Sequence, residues 1–572
     1  MMTDESYRDE RLDSVVSSVF IQPTINFKAK HVRDLGILLC IIGVCNIILG
    51  FTAIFIGCFM AFICTPIWSG IVIIIGGVFA IRSELVRRSN RIRLFVDAVI
   101  LVLSFFASVF AFVVANLCGL FGNVCQTHSP ISDFLDTYGP IAVSSKQINT
   151  VFLFDAHDFA QVHREEGKYP KRMEALLMRA HREFKEIPYG VFSSDGPEWR
   201  RYRSALSKYI LRPKEVVKYT DRLSDTAEDL VSRIQILRKG NGTVKDLEKL
   251  LQYWAFEGGA SVIFGKRFNL LSDNPDHDAA LFNKALKSLT LPSVVMYDAK
   301  SIKVNKDGNT FFWKKFVKNW DQLFDITGKC LYEKNFELKS RQAQLSNCPE
   351  SGLDYLTNLI TEGKLSEKEL HTNLTEVFLA ATDTAKSALT WVLYVLGRNP
   401  RVQEKLYREV MLYAPFGQPI TERTMSEHRW NYIKAVLKES LRLYPPAIGN
   451  LRILDHDIVL RGYNIPAGTI LVGMTYYMSR DPKNFYNELD FIPERWNRKG
   501  FERFDGFKSM PFGFGARMCL GRRVAELEIY VALIKILREF KLECAQELHP
   551  GFKFGQQIMM PNKPLKLQFV QR

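Results

Sequence analysis

The sequence predicts a mainly α-helical domain with small β-sheets, preceded by an α-helical membrane region of about three spans. Three long apolar runs before residue 120 indicate the membrane region. After about residue 130 the sequence becomes a succession of helical patterns with short strand patterns between them. One long helix, predicted to end near Gly397, has a start signal of its own, because Ser366 and Glu369 have the spacing of a capping box.

The apolar runs divide the chain into three predicted parts. Residues 1–34 form a polar tail, residues 35–120 a transmembrane region, and residues 130–572 the domain. The predicted spans are residues 35–64, 66–81 and 98–118. Each is long enough, or nearly so, to cross a hydrocarbon layer of roughly 30 Å as a helix.

The charges beside these spans create a topological conflict. Basic residues precede the first span, and five arginines lie between residues 82 and 93, so both segments are predicted to be cytoplasmic. Three spans would then place the domain on the opposite side, away from cytosolic electron donors. Three explanations remain open: the third run does not cross, the membrane is not the usual one, or the sequence joins two unrelated genes.

The runs NIILGFTAIFIG and TPIWSGIVIIIGGVFAI give the membrane region a resemblance of its own. They are similar to the first two spans of the four-span membrane family related to the B-lymphocyte antigen, over about residues 35–120. A fourth span is missing.

Composition restricts the partners and the compartment. The chain has 572 residues and a formal net charge of +15, which favours membrane surfaces or acidic proteins as partners. We expect no nucleic acid. Six of the ten cysteines lie at or before Cys125, so the domain has too few for a disulfide framework, as expected in a reducing compartment.

The segment Lys508–Arg523, KSMPFGFGARMCLGRR, holds one cysteine in a glycine-rich stretch. A zinc site would need several ligands, so a single thiolate suits a metal that brings most of its ligands with it. Haem is such a group, because the porphyrin supplies four nitrogens. The glycines would let the backbone approach the macrocycle closely. The alternative is an ordinary buried cysteine.

The same segment fits the pattern F-x-x-G-x-R-x-C-x-G at Phe512, Gly515, Arg517, Cys519 and Gly521. This pattern resembles the signature of the cytochrome P450 superfamily, and the resemblance covers about residues 132–572, closest to the mitochondrial-type clan. It implies the cytochrome P450 fold and haem b as cofactor, with Cys519 as axial ligand of the iron. Phe512 and Arg517 are implied as cofactor-binding residues, Arg517 toward a haem propionate.

Further motifs match the family at its cofactor-binding and structural positions. Trp199 and Arg203 form a W-x-x-x-R pair on one helical face, and the resemblance directs them and Arg452 to haem propionates. A second set matches the family's E-x-x-R and P-x-R-F motifs, with tryptophan in place of the last phenylalanine. This set, expected to form a buried structural network, is Glu439, Arg442 and Arg495.

The predicted catalytic pair lies inside the long helix, in FLAATDTAKSALTW. Asp383 and Thr384 match the family's A-G-x-D-T-T pattern, while Ala381 and Ala385 depart from it. The resemblance implies that the carboxyl and hydroxyl groups relay protons to bound dioxygen. The alternative is a threonine bonded to its own helix backbone beside a solvated aspartate.

Lys434 and Lys438 lie four residues apart and resemble the paired lysines with which mitochondrial-type members bind an acidic ferredoxin. The predicted function is a haem-thiolate monooxygenase that inserts one oxygen atom from O2 into a hydrophobic substrate, and the resemblance implies a steroid- or lipid-like one. The resemblance also implies an adrenodoxin-like ferredoxin as electron donor and the mitochondrial inner membrane as location, with a flavoprotein reductase and the endoplasmic reticulum as the alternatives. The alternative function is a four-span-like signalling or channel-associated membrane protein with an attached or catalytically altered haem domain.

Overall fold

A computed structural model describes residues 141–144, 149–173, 175–289, 299–343, 354–428, 430–497, 505–551 and 558–572. All of them belong to one of two compact units of the chain, Phe134–Arg572. The polar tail and the three predicted spans lie outside the described residues, and the membrane region therefore stays a prediction. Within the described ranges, every helix is too short or too polar to cross a bilayer.

Helices make up most of the described residues, and this confirms the predicted mainly α fold. The α-helices of the described ranges are α1 (Ala156–Glu165), α2 (Leu176–Lys185), α3 (Gly196–Ile210), α4 (Pro213–Val216), α5 (Thr220–Leu237), α6 (Leu247–Ile263), α7 (His277–Ser288), α8 (Ala299–Asp307), α9 (Phe311–Ala343), α10 (Tyr355–Glu362), α11 (Glu367–Arg398), α12 (Pro400–Tyr413), α13 (Glu422–Glu427), α14 (Asn431–Leu443), α15 (Thr475–Met478) and α16 (Arg522–Glu539). Short 3-10 helices cover Val217–Tyr219, Pro493–Trp496 and Gly506–Lys508.

The strands are short and form small sheets, as predicted. They are β1 (Ile141–Ser144), β2 (Thr150–Leu153), β3 (Asn450–Ile453), β4 (Ile458–Leu460), β5 (Tyr463–Ile465), β6 (Ile470–Gly473), β7 (Phe540–Glu543), β8 (Pro550–Gly551), β9 (Met560–Pro561) and β10 (Gln568–Gln571). One sheet has the order β1-β2-β6-β3, with β2 and β6 parallel and the other pairs antiparallel. The remaining sheets are the antiparallel pairs β4-β5, β7-β10 and β8-β9.

Helix α11 runs through the middle of the main hydrophobic core. It packs against α6, α9, α12, α14 and α16. Its start is fixed by the predicted capping box, in which the Ser366 hydroxyl accepts the Glu369 N–H and the Glu369 carboxylate accepts the Ser366 N–H. It ends at Arg398, two residues before Pro400, which begins α12.

Helix α16 differs from its sequence pattern. The sequence predicts an amphipathic helix after Cys519, but from Leu527 to Arg538 nearly every residue of α16 is buried, including Glu528. The helix packs against α5, α11, α12 and β7, so it has no wide solvent face. The residues of its N-terminal turn, which follow Cys519, are only half-buried.

Candidate active site

The turn before Cys519 is held by two glycines with left-handed backbone. Gly513 has φ +69° and Gly515 has φ +71°, which L-residues rarely adopt. A Cβ atom at Gly513 would lie 2.9 Å from Asn450 Oδ1, and one at Gly515 would lie 2.4 Å from Glu166 Oε1. The two glycines thus permit the left-handed turn and leave room for Asn450 and Glu166 beside it.

The sulfur of Cys519 lies at the N-terminal end of α16. The Cys519 N–H donates to Phe512 O at 2.8 Å, which closes the turn. Water reaches the side chain, yet protein atoms surround it closely and burial raises the pKa of the thiol. Hydrogen bonds from the N–H groups of Gly521 and Arg522, together with the charges of Arg203 and Arg522, act in the opposite direction. These groups are suited to stabilise a thiolate that a metal deprotonates.

Arg517 connects the turn to the start of α3. Its guanidinium lies 3.8 Å from the centre of the Trp199 ring, and its Nη2 donates to Asp195 Oδ1 at 2.5 Å. Further hydrogen bonds reach Pro170 O at 2.9 Å and Ser194 O at 3.3 Å. Asp195 precedes α3 but makes no side-chain cap there, because its carboxylate faces Arg517.

Arg452 on β3 has a carboxylate partner of its own. Its Nε donates to Glu166 Oε2 at 2.5 Å, and its Nη2 donates to Phe514 O at 3.0 Å. His163 Nδ1 lies 3.2 Å from the other oxygen of Glu166. Burial acts to raise the pKa of Glu166, but the bonds from His163 and Arg452 outweigh it, so that the pKa is lowered and Glu166 stays ionised.

Two more arginines complete a group that we call the arginine cluster. Its members are Arg172, Arg203, Arg452 and Arg517. Burial, together with mutual repulsion, lowers the pKa of Arg517 to about 9 and that of Arg203 to about 10, and it also lowers the pKa of Arg172. Arginine side chains as a class are protonated in proteins at neutral pH, so the cluster concentrates positive charge.

The arginine cluster carries more positive charge than its carboxylates neutralise. Glu166 pairs with Arg452 and Asp195 with Arg517, while Arg203 has no ion-pair partner among the described residues. These two ion pairs leave Arg172 and Arg203 without an ion pair among the described residues, although the charge of Glu376 also acts on Arg172. Haem b has two propionates, and their two negative charges would balance the excess. The charges and the Cys519 turn therefore fit this cofactor.

Helix α11 presents an open stripe in its otherwise buried middle section. Ala380 is exposed, and Val377, Ala381 and Thr384 are half-buried, with the i, i+3, i+4, i+7 spacing of one helix face. The Thr384 hydroxyl donates to Ala380 O at 2.8 Å. This is the bond to its own helix backbone that the alternative interpretation of the sequence predicts. A hydroxyl bonded in this way still has lone pairs with which it can accept a hydrogen bond.

Asp383 has a cationic neighbour on the same helix. Its Oδ1 lies 3.5 Å from Nζ of Lys386, whose side chain is only 6% exposed. The same ammonium lies 3.8 Å from Glu248 Oε1 on α6. Asp383 is therefore held beside a buried positive charge, which differs from the solvated aspartate of the alternative.

The E-x-x-R residues are brought together in the interior. Glu439 accepts hydrogen bonds from Arg442 Nη2 at 2.8 Å and from Arg495 Nε at 2.8 Å, and the Glu439 and Arg442 side chains are fully buried. Trp496, which replaces the family's phenylalanine, donates its Nε1 to Glu439 Oε2 at 2.9 Å. The carboxylate is thus surrounded by donors.

Lys434 and Lys438 lie on the exposed face of the same helix, α14. The Lys438 ammonium is 5.7 Å from the centre of the Trp496 ring. One face of α14 therefore carries two positive charges, while the opposite face holds Glu439 in the interior.

Arg172, Glu166 and Asp195 are functional candidates that sequence reasoning missed. Arg172 and Glu166 belong to the segment HREEGKYPKR, which was interpreted only as the end of a helix. Glu166 is 286 residues from its partner Arg452, and Asp195 is 322 residues from Arg517. No local pattern reports such pairs; the only available signal was the crowding of charge around Gly167.

Comparisons with known proteins agree with this geometry. Residues 114–569 match the family model described as Cytochrome P450. The chain is 32% identical to mouse 1,25-dihydroxyvitamin D(3) 24-hydroxylase, mitochondrial, over 79% of this chain and 85% of that protein. It is 33% identical to human sterol 26-hydroxylase, mitochondrial, over 79% and 86% respectively. It is also 30% identical to zebrafish cytochrome P450 27C1, over 77% and 80%. The four-span resemblance and the alternative function built on it find no support in these matches.

Proposed function

This chain belongs to the cytochrome P450 family, mitochondrial type, and from that premise we propose that it hydroxylates a sterol-like substrate with electrons from a ferredoxin. It is a cytochrome P450 monooxygenase, and the cofactor of the family is haem iron. The proposal concerns the substrate class, the roles of individual residues, the electron donor and the location.

The single observation that carries the proposal is the Cys519 turn facing the arginine cluster. We assign Cys519 as the residue that would hold the haem iron, because its sulfur has backbone N–H donors from Gly521 and Arg522. Arg203, Arg452 and Arg517 would bind the propionates, and Trp199 would hold the guanidinium of Arg517 in place. Phe512 supports the turn through its carbonyl group. When bound through a thiolate, haem iron activates dioxygen for oxygen insertion.

Protons would be handled by Thr384 and Asp383. The Thr384 hydroxyl is placed on the open stripe of α11, where it can accept a hydrogen bond while it donates to Ala380 O. The Asp383 carboxyl group lies beside Lys386 Nζ, and we infer that it takes up and releases a proton at Oδ1. Lys386 would act by positioning this carboxylate.

The substrate assignment rests on the relatives and on the character of the stripe. The relatives are named as hydroxylases of a sterol and of 1,25-dihydroxyvitamin D(3). In this chain Val377, Ala380 and Ala381 offer a small apolar surface on α11, which suits a large hydrophobic molecule better than a polar one.

Electrons would arrive at α14. Lys434 and Lys438 present two positive charges one turn apart, which favours an acidic, adrenodoxin-like ferredoxin. A flavoprotein reductase is the alternative donor.

The names of the relatives support a place at the mitochondrial inner membrane, with the endoplasmic reticulum as the alternative. Integral insertion through the three predicted spans remains a proposal from the sequence.

One experiment tests the function as a whole. The purified full-length protein should give the reduced carbon-monoxide spectrum of a thiolate-ligated haem. It should then convert a sterol to a hydroxylated product only when NADPH, ferredoxin reductase and ferredoxin are all present. A spectrum without thiolate ligation would contradict the cofactor assignment, and turnover supported only by a microsomal flavoprotein reductase would contradict the donor.

A further inference from the structure

A short segment between α2 and α3 connects α11 to the arginine cluster. We call Gly190–Asp195 the strap. The N–H groups at the middle of the strap bond to α11, while two of its carbonyl groups and its terminal carboxylate bond to arginines of the cluster. The strap therefore lies between the helix that carries the open stripe and the residues that fit the propionates.

On the α11 side, two polar side chains bind the strap backbone. Val191 N–H donates to Asn373 Oδ1 at 2.7 Å, and Phe192 N–H donates to Glu376 Oε2 at 2.8 Å. Ser193 adds its N–H to Glu376 Oε2 at 3.3 Å and its hydroxyl to Oε1 at 2.5 Å. Three consecutive amides are thus held by one face of α11, one turn before Ala380.

The carboxylate of Glu376 is fully buried, and it requires this arrangement. Arg182, also fully buried, lies 3.4 Å from Glu376 Oε1. A buried charge is tolerated only where a counter-charge and hydrogen-bond donors surround it, and here the donors come from the strap. Gly190 makes the room, because a Cβ atom there would lie 2.2 Å from Glu376 Oε2.

On the other side, two members of the arginine cluster bind the strap. Arg172 Nη2 donates to Phe192 O at 2.9 Å, and the Arg172 guanidinium lies 4.1 Å from the centre of the Phe192 ring. Arg517 donates to Ser194 O at 3.3 Å and to Asp195 Oδ1 at 2.5 Å. The backbone of Phe192 is therefore hydrogen-bonded on both sides, by Glu376 at its N–H and by Arg172 at its carbonyl.

We propose that Glu376 is a positioning residue that fixes the strap and thereby keeps Arg172 and Arg517 in place to retain haem. This inference rests on the proposed function, since it assumes that Arg517 binds a propionate and that Arg172 supports it through the strap. Donors held in place before binding lose less conformational freedom on binding, so the arginines bind more tightly when the strap is fixed. No contact between Glu376 and the cofactor is required.

Hydrogen exchange in the haem-loaded full-length protein reports directly on the strap. The amides of Val191, Phe192 and Ser193 should exchange slowly, because each is bonded to an α11 side chain. Gly190→Ala should speed the exchange of the Phe192 amide by about tenfold or more, since it displaces the Glu376 carboxylate that accepts this hydrogen bond. Gly240→Ala is the matched control, because a Cβ atom there meets nothing within 4 Å.

A second variant tests the cause. In the Glu376→Ala background the clash disappears, so adding Gly190→Ala should change exchange and haem retention little further. Glu376→Gln, which keeps an acceptor oxygen for the strap, should lie between the wild type and Glu376→Ala. If Gly190→Ala fails to fold, the variants Ser193→Ala and Glu376→Gln, alone and combined, test the same contact between the strap and Glu376.

A measurement of haem retention distinguishes a positioning role of Glu376 from a general contribution to the stability of the fold. Haem transfer to apomyoglobin, measured far from unfolding conditions, should be about tenfold faster in Gly190→Ala and in Glu376→Ala than in the wild type. Unchanged transfer with only a lower unfolding midpoint would reduce Glu376 to a structural role and overturn the inference. Fast exchange of the three amides in the wild type would overturn it as well. A wild-type protein without a thiolate-haem spectrum would instead contradict the proposed function.

Discussion

Arg517 lies over the indole ring of Trp199, with its guanidinium carbon 3.8 Å from the ring centre. Both side chains are almost fully buried, and Arg517 also reaches Asp195 with its fork of donors. A planar, delocalised cation suits such a place, because it can stack and donate hydrogen bonds at the same time.

Arg517→Lys should therefore weaken haem retention although it keeps the charge. Lysine loses the stacking on Trp199 and most of the hydrogen bonds, an effect of about 1–3 kcal/mol. Haem release to apomyoglobin measures it. Arg408→Lys, at an exposed arginine, is the control. Equal release rates in the two variants would argue against a cofactor-binding role for Arg517.

Thr384→Ala should separate oxygen consumption from product formation. Without the hydroxyl on the open stripe, proton delivery loses a partner, and more of the NADPH consumed should end as hydrogen peroxide. Product formed per NADPH should fall several-fold, while Thr384→Ser, which keeps the hydroxyl, should stay near the wild type. Unchanged coupling in Thr384→Ala would favour a purely structural hydroxyl, bonded to Ala380 O.

Arg495→Ala should destabilise the fold more than any surface ion pair. It leaves Glu439 buried with one cation fewer, and breaking a buried pair costs about 3–5 kcal/mol. Denaturant unfolding measures the loss. Arg423→Ala removes an exposed i, i+4 pair with Glu427 and should change the free energy of unfolding by only about 0.5 kcal/mol. Similar losses of unfolding free energy in both variants would mean that the buried network contributes no more to stability than a surface ion pair.

Charge reversal at Lys434 and Lys438 should impair electron transfer without changing the haem site. Lys434→Glu combined with Lys438→Glu should raise the KM for ferredoxin by about tenfold or more at low ionic strength, and the difference should shrink as salt is added. Lys368→Glu, at an exposed lysine of α11, should have little effect. A flavoprotein-dependent enzyme would show no such rise with ferredoxin.

His181 should make stability depend on pH between about 6.5 and 4. Burial and the charge of Arg182 lower the pKa of His181 to about 4, and Arg182 Nη1 lies 2.9 Å from its Nδ1. The unfolded chain binds the proton near 6.5 and the folded one only near 4, so stability is complete above this window and is lost as the pH falls through it.

The test is unfolding by urea at pH 7 and at pH 5. His181→Asn offers Arg182 an amide oxygen but does not titrate, so the part of the pH dependence that His181 causes should disappear. If the variant and the wild type lose the same stability between the two pH values, His181 is not the titrating group.

Short-range patterns predicted the parts of the fold that short-range forces determine. Ser366 and Glu369 are three residues apart, and their reciprocal bonds start α11 where the spacing predicts. Pairs made by tertiary folding gave no such signal, and the Glu166–Arg452 contact was found only in three dimensions. The family motifs directed attention to Arg203, Arg452 and Arg517, but Arg172 lies outside every motif and was missed.

The sequence pattern also gave a wrong expectation of solvent exposure where elements far away in the chain determine burial. The polar residues of α16 indicate a solvent face, yet neighbouring helices cover it and bury Glu528. The missing information is the identity of neighbours far away in the chain.

Gly190 and Glu376 constrain how this sequence can change over generations. A side chain at position 190 meets the carboxylate at 376, and removing that carboxylate leaves Arg182 buried without its partner. Either substitution is harmful alone. The order in which they occur matters, because a larger residue at position 190 becomes acceptable only after Glu376 has been replaced by a shorter residue. Among descendants of this sequence, a replaced glycine at 190 should therefore be accompanied by a replaced glutamate at 376.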